Sequence, residues 1–146
     1  MEKSDENVAK KSLREGVFPE LSTAGLEALR RALVTNNPAL IQGKTTQGEG
    51  SDFRACFIGF ARWQGDSLPP NSDVVERDFA KKCLSIEDRL KCKKDFGDRL
   101  LAEFMAWYDS ESRQEVFKAL LLEVRQELAK RNTECSGERD DLGMFP

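Results

Sequence analysis

The sequence predicts an all-α fold, an irregular bundle of about five helices that forms a single domain. Apolar residues recur with a period of about 3.6 residues in several segments, capping residues precede most of them, and no segment rich in β-branched residues offers a sheet. The length of 146 residues suits one domain. We expect a flexible N-terminal segment over residues 1–16, a helical domain over 17–131 and an acidic C-terminal tail over 132–146.

A first well-formed helix is predicted from about Thr23 to Val34, with its start at Ser22 or Thr23. Its apolar face consists of residues three or four apart, namely Leu26, Leu29, Ala32 and Leu33. Pro38 and the asparagines before it end the helix, because a residue that precedes proline avoids the helical region. Upstream, residues 7–14 show no sustained apolar face and support at most a short frayed helix.

The connection over residues 35–51 contains a candidate loop site, formed by Lys44, Thr45 and Thr46. With Gly43 they have the residue order that ends a phosphate-binding loop. The full motif requires a glycine five positions before Gly43, where this chain has Pro38. It also requires a buried strand before the loop and a helix after it, and the sequence indicates neither. A solvated, mobile loop is therefore favoured over a phosphate cradle.

The densest apolar run of the chain covers residues 53–63. As a helix capped by Asp52, it places most of its aromatic side chains on one stripe. As a strand, it would need a pairing partner, because unpaired backbone groups are costly when buried. No second strand is evident from the sequence, so a helix is predicted. Gly59 weakens that helix by about 1 kcal/mol unless another helix crosses closely there.

Further helices follow. Asp73 and Glu76 form a capping box for a helix with a break near Ser85, and Asp95 caps a helix over residues 96–108. Ser112 and Glu115 form a second capping box for a helix over residues 112–131. The short link between these last two helices predicts an antiparallel pair.

Composition excludes several classes of protein. The hydrophobic content is 39%, the charged content 34% and the formal net charge −3. This acidic balance argues against a general binder of nucleic acid or of anionic membranes, which requires a cationic surface. No apolar stretch reaches the roughly 20 residues of a membrane span, and residues 1–16 lack the pattern of a signal peptide. We therefore expect a cytoplasmic protein without membrane contact.

The sequence offers little evidence for a catalytic site or a metal-binding site. The chain contains no histidine, the commonest general base, and its four cysteines form no C-x-x-C pair. Cys56 and Cys83 are interpreted as small core residues rather than as redox or metal-binding groups. No spacing selects a carboxylate pair or a nucleophile with its base. We predict that the protein is not an enzyme and has no cofactor.

Two surfaces are candidates for binding. The segment 81–99 is rich in bases, and its candidate anion-binding residues are Lys81, Lys82, Arg89, Lys91, Lys93 and Lys94. The alternative is a solvated helix face with ion pairs four residues apart. The candidate partner-binding residues are Leu122, which lies off the apolar stripe of its helix, and Leu142, Met144 and Phe145 in the tail.

The function that these observations favour is a non-enzymatic protein-interaction module, such as an adaptor or a regulatory subunit. We expect a protein partner, and the sequence leaves a homo-oligomer open. One alternative is a nucleic-acid-associated regulator that uses the basic face over residues 81–99, although nucleic acid is the less favoured partner. Another is a helical protein that binds a small molecule near Trp63 and Trp107, aromatics that are more simply explained as core.

Overall fold

Six α-helices and one small sheet make up the part of the chain that the computed structural model describes, which is residues 6–91 and 100–142, with side chains over 6–91 and 101–133. The helices are α1 (Glu6–Ser12), α2 (Thr23–Thr35), α3 (Phe57–Phe60), α4 (Ser72–Lys91), α5 (Leu100–Ser110) and α6 (Arg113–Leu142). Wider π-helical turns extend α1 over Leu13–Val17 and α3 over Ala61–Gly65, and 3-10 turns cover Phe18–Glu20 and Gly50–Asp52. The predicted all-α class and single helical domain are confirmed.

Helix α2 begins and ends close to the predicted residues. The side-chain oxygen of Ser22 accepts a hydrogen bond from the backbone N–H of Gly25 (2.9 Å), the usual geometry of a serine N-cap. At the other end, Asn36 adopts the left-handed conformation (φ 53°), and its N–H donates to the carbonyl of Ala32. Asparagine thus takes the place that glycine most often holds at the end of a helix.

Residues 6–16 form a packed helix, so the prediction of a flexible segment is wrong for them. Ala9, Leu13 and Val17 follow one another at intervals of one turn and are fully buried, as is Ser12. Helix α1 packs chiefly on α5. The buried stripe is narrow and includes alanine and serine, so apolar periodicity alone does not reveal it.

The apolar run over residues 53–63 is part strand and part helix. Strand β2 (Arg54–Ala55) pairs antiparallel with β1 (Thr46–Gln47), and Cys56 is the N-cap of α3. The predicted helix is therefore correct only from Phe57 onward, and Asp52 does not cap it. Two-residue strands are too short to display a period of two, which is why the polar β1 could not be recognised as a partner.

The connection between α2 and β2 is held by hydrogen bonds instead of being a solvated loop. The backbone N–H of Ile41 donates to the carbonyl of Ala55 (2.9 Å), and the N–H of Cys56 donates to the carbonyl of Thr45 (2.9 Å). The side-chain amide of Gln42 donates to two carbonyls at the end of α5, those of Tyr108 (2.7 Å) and Glu111 (3.0 Å). Its glycines mark tight turns within an ordered segment.

Two glycines bring α3 and its π-helical extension close to their neighbours. A β-carbon at Gly59 would lie 3.1 Å from the Val75 side chain of α4, so the expected close helix crossing is present. A β-carbon at Gly65 would lie only 2.3 Å from the α-carbon of Gly25 in α2. The π-helical extension of α3 could not carry a side chain at Gly65 without moving away from α2.

Helix α4 differs from the prediction at its start and in its middle. Asn71, rather than Asp73, supplies the cap, because its side-chain oxygen accepts from the N–H of Val74 (3.0 Å). Within Ser72–Lys91 the helix continues through Ser85 without the predicted break. The predicted cap Asp95 lies outside the described residues.

Helix α6 begins as predicted, since the N–H of Glu115 donates to the Ser112 hydroxyl (3.2 Å). It then continues beyond residue 131 to Leu142, and no proline interrupts the chain over that range. Its main packing partner is α2, while α5 packs mainly on α1. The predicted antiparallel pair of the last two helices is therefore wrong, because a short link does not oblige neighbouring helices to pack on each other.

Candidate partner-binding groove

Helices α2 and α6 pack antiparallel. Arg113, at the start of α6, donates to the side-chain oxygen of Asn36 just after α2 (2.7 Å), and Arg131 donates to the hydroxyl of Thr23 at the start of α2 (3.1 Å). Two cavities, of about 510 and about 620 Å³, lie along this pair of helices. We call this surface the α2–α6 groove.

The residues that line the α2–α6 groove recur at helical spacing, so the two cavities share one face of each helix. Those from α2 and its cap are Thr23, Glu27, Arg30, Leu33 and Asn36; those from α6 are Arg113, Gln114, Phe117, Lys118, Leu121, Arg125, Leu128, Ala129, Arg131 and Asn132. Val34 follows Arg30 on the same stripe of α2 and is 53% exposed.

The floor of the groove is apolar at the end formed by the start of α6. Leu33 and Phe117 are each 6% exposed, and Leu121 is partly buried beside them. The guanidinium carbon of Arg113 lies 4.2 Å from the centre of the Phe117 ring, a cation–π contact. The opposite end has Leu128 and Ala129 as its apolar residues among several charged side chains.

The charge of the groove is opposite to that of the whole chain. Its lining holds one acid, Glu27, and five bases, which are Arg30, Arg113, Lys118, Arg125 and Arg131. The chain as a whole carries −3. Arg30 pairs with Glu27 (2.9 Å), and Arg131 pairs with Glu127 (2.8 Å), so part of this charge is compensated.

Three of these bases have no carboxylate beside them among the described residues. Arg113 donates to neutral oxygens only, the side chain of Asn36 and the carbonyls of Asn37 (2.8 Å) and Leu40 (2.7 Å). Lys118 and Arg125 form no ion pair with the described part of the chain. Arg113 is thus held in place by the fold while its charge remains available to an anionic ligand.

The other side of α6, which faces the π-helical extension of α1, is organised differently. Glu123 is only 3% exposed, and its two carboxylate oxygens accept hydrogen bonds of 2.7 Å each from the Arg14 guanidinium. The hydrogen bond to Glu123 raises the pKa of Arg14 above its ordinary value, while burial acts in the opposite direction. A smaller cavity of about 270 Å³ lies here, with the acids Glu15, Glu123 and Glu127 and the bases Arg14 and Lys130 in its lining.

The predicted partner-binding residues are only partly described. Leu122 is 54% exposed and points away from the core. On the helix it lies one turn from both Lys118 and Arg125, so it borders the α2–α6 groove. The backbone of Leu142 ends α6, its side chain is not described, and Met144 and Phe145 lie outside the described residues.

The predicted anion-binding residues on α4 do not form a uniformly free basic face. Arg89 pairs with Glu20 (2.7 Å), and Lys82 lies 3.7 Å from the same carboxylate. Lys81 and Lys91 are exposed, and Lys93 and Lys94 lie outside the described residues. Because Glu20 is more than sixty residues away from Lys82 and Arg89 in the sequence, the sequence around α4 gives no sign of this charge compensation.

The three residues of the candidate loop site, Lys44, Thr45 and Thr46, lie in different environments. Lys44 is exposed, Thr45 is partly buried and pairs through its backbone, and Thr46 is 8% exposed in β1. The Thr46 hydroxyl donates to a carboxylate oxygen of Glu76 (2.5 Å) and lies 3.1 Å from the Ser72 hydroxyl. A phosphate at this hydroxyl would meet the carboxylate of Glu76, which is unfavourable for an anion.

The interior shows buried groups whose ionisation is suppressed. Burial raises the pKa of the Cys56 thiol to about 12 and that of Cys83 to about 11, which suits packed thiols better than nucleophiles. Burial also raises the pKa of Tyr108, whose hydroxyl donates to the carbonyl of Ile41 (2.7 Å). Cys92 lies outside the described residues, and the side chain of Cys135 is not described.

The aromatic residues considered as a ligand site pack on one another. Phe60 meets Trp63 edge to face (5.6 Å between ring centres), and Phe104 lies against Trp107 (6.3 Å). Phe60, Phe104 and Trp107 are buried in the core. The cavities along α6 are lined by other residues.

No protein-family model matches the chain, and no curated protein or solved structure matches it either. In residues 6–91 and 100–142, no helix combines the length and the apolar character needed to cross a membrane. Among the side chains of residues 6–91 and 101–133, no group of three Asp, Glu, His or Cys is suited to a metal ion. On the described part of the surface, the α2–α6 groove combines an apolar floor with bases that have no carboxylate partner.

Sequence reasoning missed the groove because its bases come from distant parts of the chain. Arg30 belongs to α2, and the other four bases belong to α6. One local signal was present: Gln114, Lys118, Leu121, Arg125 and Leu128 form a second stripe at helical spacing beside the core stripe of α6. Apolar and basic residues that alternate along one flank of a helix are typical of a surface that contacts another element.

Proposed function

We propose that this protein is a non-enzymatic interaction module, an adaptor or regulatory subunit, and that its α2–α6 groove binds an acidic amphipathic helix of a partner protein. The observation that supports this most directly is the contrast of charge. An acidic chain concentrates five bases and one acid around an apolar floor. Complementary charge gives such an interface its specificity and accelerates association.

The shape of the groove favours a helical ligand. An amphipathic helix places its apolar residues in a hydrophobic groove through anchors at intervals of three and four residues. Leu33, Phe117 and Leu121 offer the floor for such anchors, while Arg125 and Lys118 lie beside it for the acidic residues of the ligand. Because three acceptors already fix Arg113, its ordering adds little entropic cost to binding.

The alternatives receive less support. The basic face of α4 loses part of its charge to Glu20, and a nucleic-acid ligand would gain little from the apolar floor of the groove. A small-molecule site near Trp63 and Trp107 would have to displace ring contacts of the core. Binding of a polyanion such as nucleic acid is therefore not proposed, and it would count as a result against the proposal.

The test uses a synthetic helical peptide with leucines at i, i+3 and i+7 flanked by glutamates, and a second peptide in which every glutamate is lysine. Binding is followed by NMR of the isotope-labelled protein and by fluorescence anisotropy of the peptide. We expect the acidic peptide to bind, to shift the resonances of α2 and α6 beside the groove, and to bind more weakly as salt rises.

Matched variants locate the site. K118E/R125E reverses two groove charges, and K81E/K91E reverses two exposed charges on α4. We expect the first to weaken peptide binding about tenfold or more and the second to leave it nearly unchanged. The proposal would be overturned by equal effects of the two variants or by equal binding of the lysine peptide. Binding of duplex nucleic acid without binding of the acidic peptide would also overturn it.

A further inference from the structure

The C-terminal segment carries the chemistry that the groove is proposed to recognise. Residues 134–141 include Glu134, Glu138, Asp140 and Asp141 against the single base Arg139. The apolar residues Leu142, Met144 and Phe145 follow directly. The segment is therefore acidic first and apolar second.

The α2–α6 groove has the same order of chemistry along its length. Beside the start of α2 it is lined by Arg30, Arg125 and Arg131, and beside the end of α2 by Leu33, Phe117 and Leu121. A segment that runs parallel to α2 would meet the arginines with its acids and the apolar floor with its apolar residues. Because the backbone is helical through Leu142, the reach from Asp140 to Phe145 is about 13 Å, and Arg125 and Phe117 are separated by about 12 Å along α6.

The segment cannot reach the groove of its own chain while α6 remains helical. Helix α6 continues to Leu142, which places the backbone of Leu142 about 37 Å along the helix from Phe117. Met144 and Phe145 follow within three residues, a reach of about 10 Å. Only a groove on another copy of the chain is accessible to them.

We infer that the α2–α6 groove of one copy binds the acidic C-terminal segment of a second copy, so that self-association occupies the groove until a partner helix displaces it. This inference rests on the proposed function, because it assigns an occupant to the same groove. Asp140 and Asp141 pair with the arginines, and Met144 and Phe145 occupy the apolar floor. The segment thereby regulates access to the groove.

The experiment is a charge exchange on the full-length chain, followed by sedimentation velocity with a reducing agent present so that Cys135 does not cross-link. The groove variant is K118E/R125E and the segment variant is D140K/D141K. We expect the unaltered chain to self-associate and each variant to do so at least about tenfold more weakly. A mixture of the two variants retains one native groove and one native segment, so association is restored in the mixture as a heterodimer.

A second measurement separates this inference from the proposed function. In the acidic-peptide assay, D140K/D141K is expected to bind the peptide more tightly than the unaltered chain, because the competing segment is removed. If the unaltered chain stays monomeric, or if mixing restores nothing, the inference is wrong, whatever the peptide does. If K118E/R125E changes neither peptide binding nor self-association, both the inference and the proposed function fail.

Discussion

The two sides of α6 differ in how their charged side chains are compensated. Towards α1, the buried carboxylate of Glu123 and the Arg14 guanidinium neutralise each other through two hydrogen bonds of 2.7 Å. Towards α2, Lys118 and Arg125 have no carboxylate partner among the described residues. Within residues 6–91 and 101–133, the charges of Arg14 and Glu123 on the first side are paired, and those of Lys118 and Arg125 on the second side are not.

This difference separates a structural ion pair from the proposed binding surface. A buried charge requires its partner, because an unpaired charge away from water is costly. An exposed charge without a partner costs little and contributes little to stability, so its presence near an apolar floor calls for another explanation. Stability measurements should therefore be sensitive to the loss of Arg14 on the α1 side and insensitive to the loss of the unpaired charges of Lys118 and Arg125 on the α2 side.

The largest effect is expected for Arg14→Met, which leaves the carboxylate of Glu123 buried and unpaired. Breaking a fully buried pair costs about 3–5 kcal/mol, and because 54% of the Arg14 side chain is exposed we expect a smaller loss of about 2 kcal/mol. Urea unfolding measures it. The matched control is Arg125→Met, the same chemical change on the other side of α6, with an expected change below about 0.5 kcal/mol. Equal losses for the two variants would show that the two sides do not differ.

A smaller loss of stability is expected for Arg113→Met. This arginine both anchors the connection after α2 and lines the proposed binding groove. Its guanidinium donates to Asn36, Asn37 and Leu40, so its removal frees three acceptors and should cost about 1–2 kcal/mol. Arg113→Lys keeps the charge but not the planar fork of donors. We expect the lysine variant to lose similar stability but to retain more affinity for the acidic peptide than the methionine variant. If both variants are as stable as the unaltered chain, Arg113 does not anchor the α2–β1 connection.

The ends of helices were predictable from the sequence because they depend on nearby residues. Ser22, Asn36 and Ser112 mark helix ends as expected, since a cap is decided within three or four positions. The cap of α4 shows the limit of this argument. Glu76 has the spacing of a capping box with Asp73, but it accepts a hydrogen bond from Thr46, a residue of β1. A tertiary contact therefore overrides a local pattern.

The groove could not be predicted, because it depends on which helices pack together. Arg30 and Arg125 become neighbours only when α6 packs on α2, and the short link favours α5 as the partner instead. The basic density near α4 is visible in the sequence, whereas its compensation by Glu20 is not. Local clusters of charge thus identify candidates, and tertiary packing decides which charges remain free.

A still smaller effect of opposite sign is expected for Lys118→Glu and Arg125→Glu. Each change removes a base from a cluster of like charges, so each should stabilise the fold by about 0.3 kcal/mol at low ionic strength. The gain should vanish at high salt, where the Debye length is short. Thermal unfolding at two salt concentrations measures this dependence. A loss of stability at low salt would mean that these bases serve the fold, as Arg14 does.

A stability change close to zero is expected for Leu122→Ser. Because 54% of Leu122 is exposed, the fold loses little packing, and the change should lie within about 0.5 kcal/mol. Leu121→Ser, one position earlier, should cost more than 1 kcal/mol, since that side chain packs against the core in the groove floor. At the same time Leu122→Ser should weaken binding of the acidic peptide about threefold, while Leu84→Ser, on another leucine that is exposed (64%), should not. If Leu122 and Leu84 behave alike towards the peptide, the binding surface does not extend past the rim formed by Lys118 and Arg125.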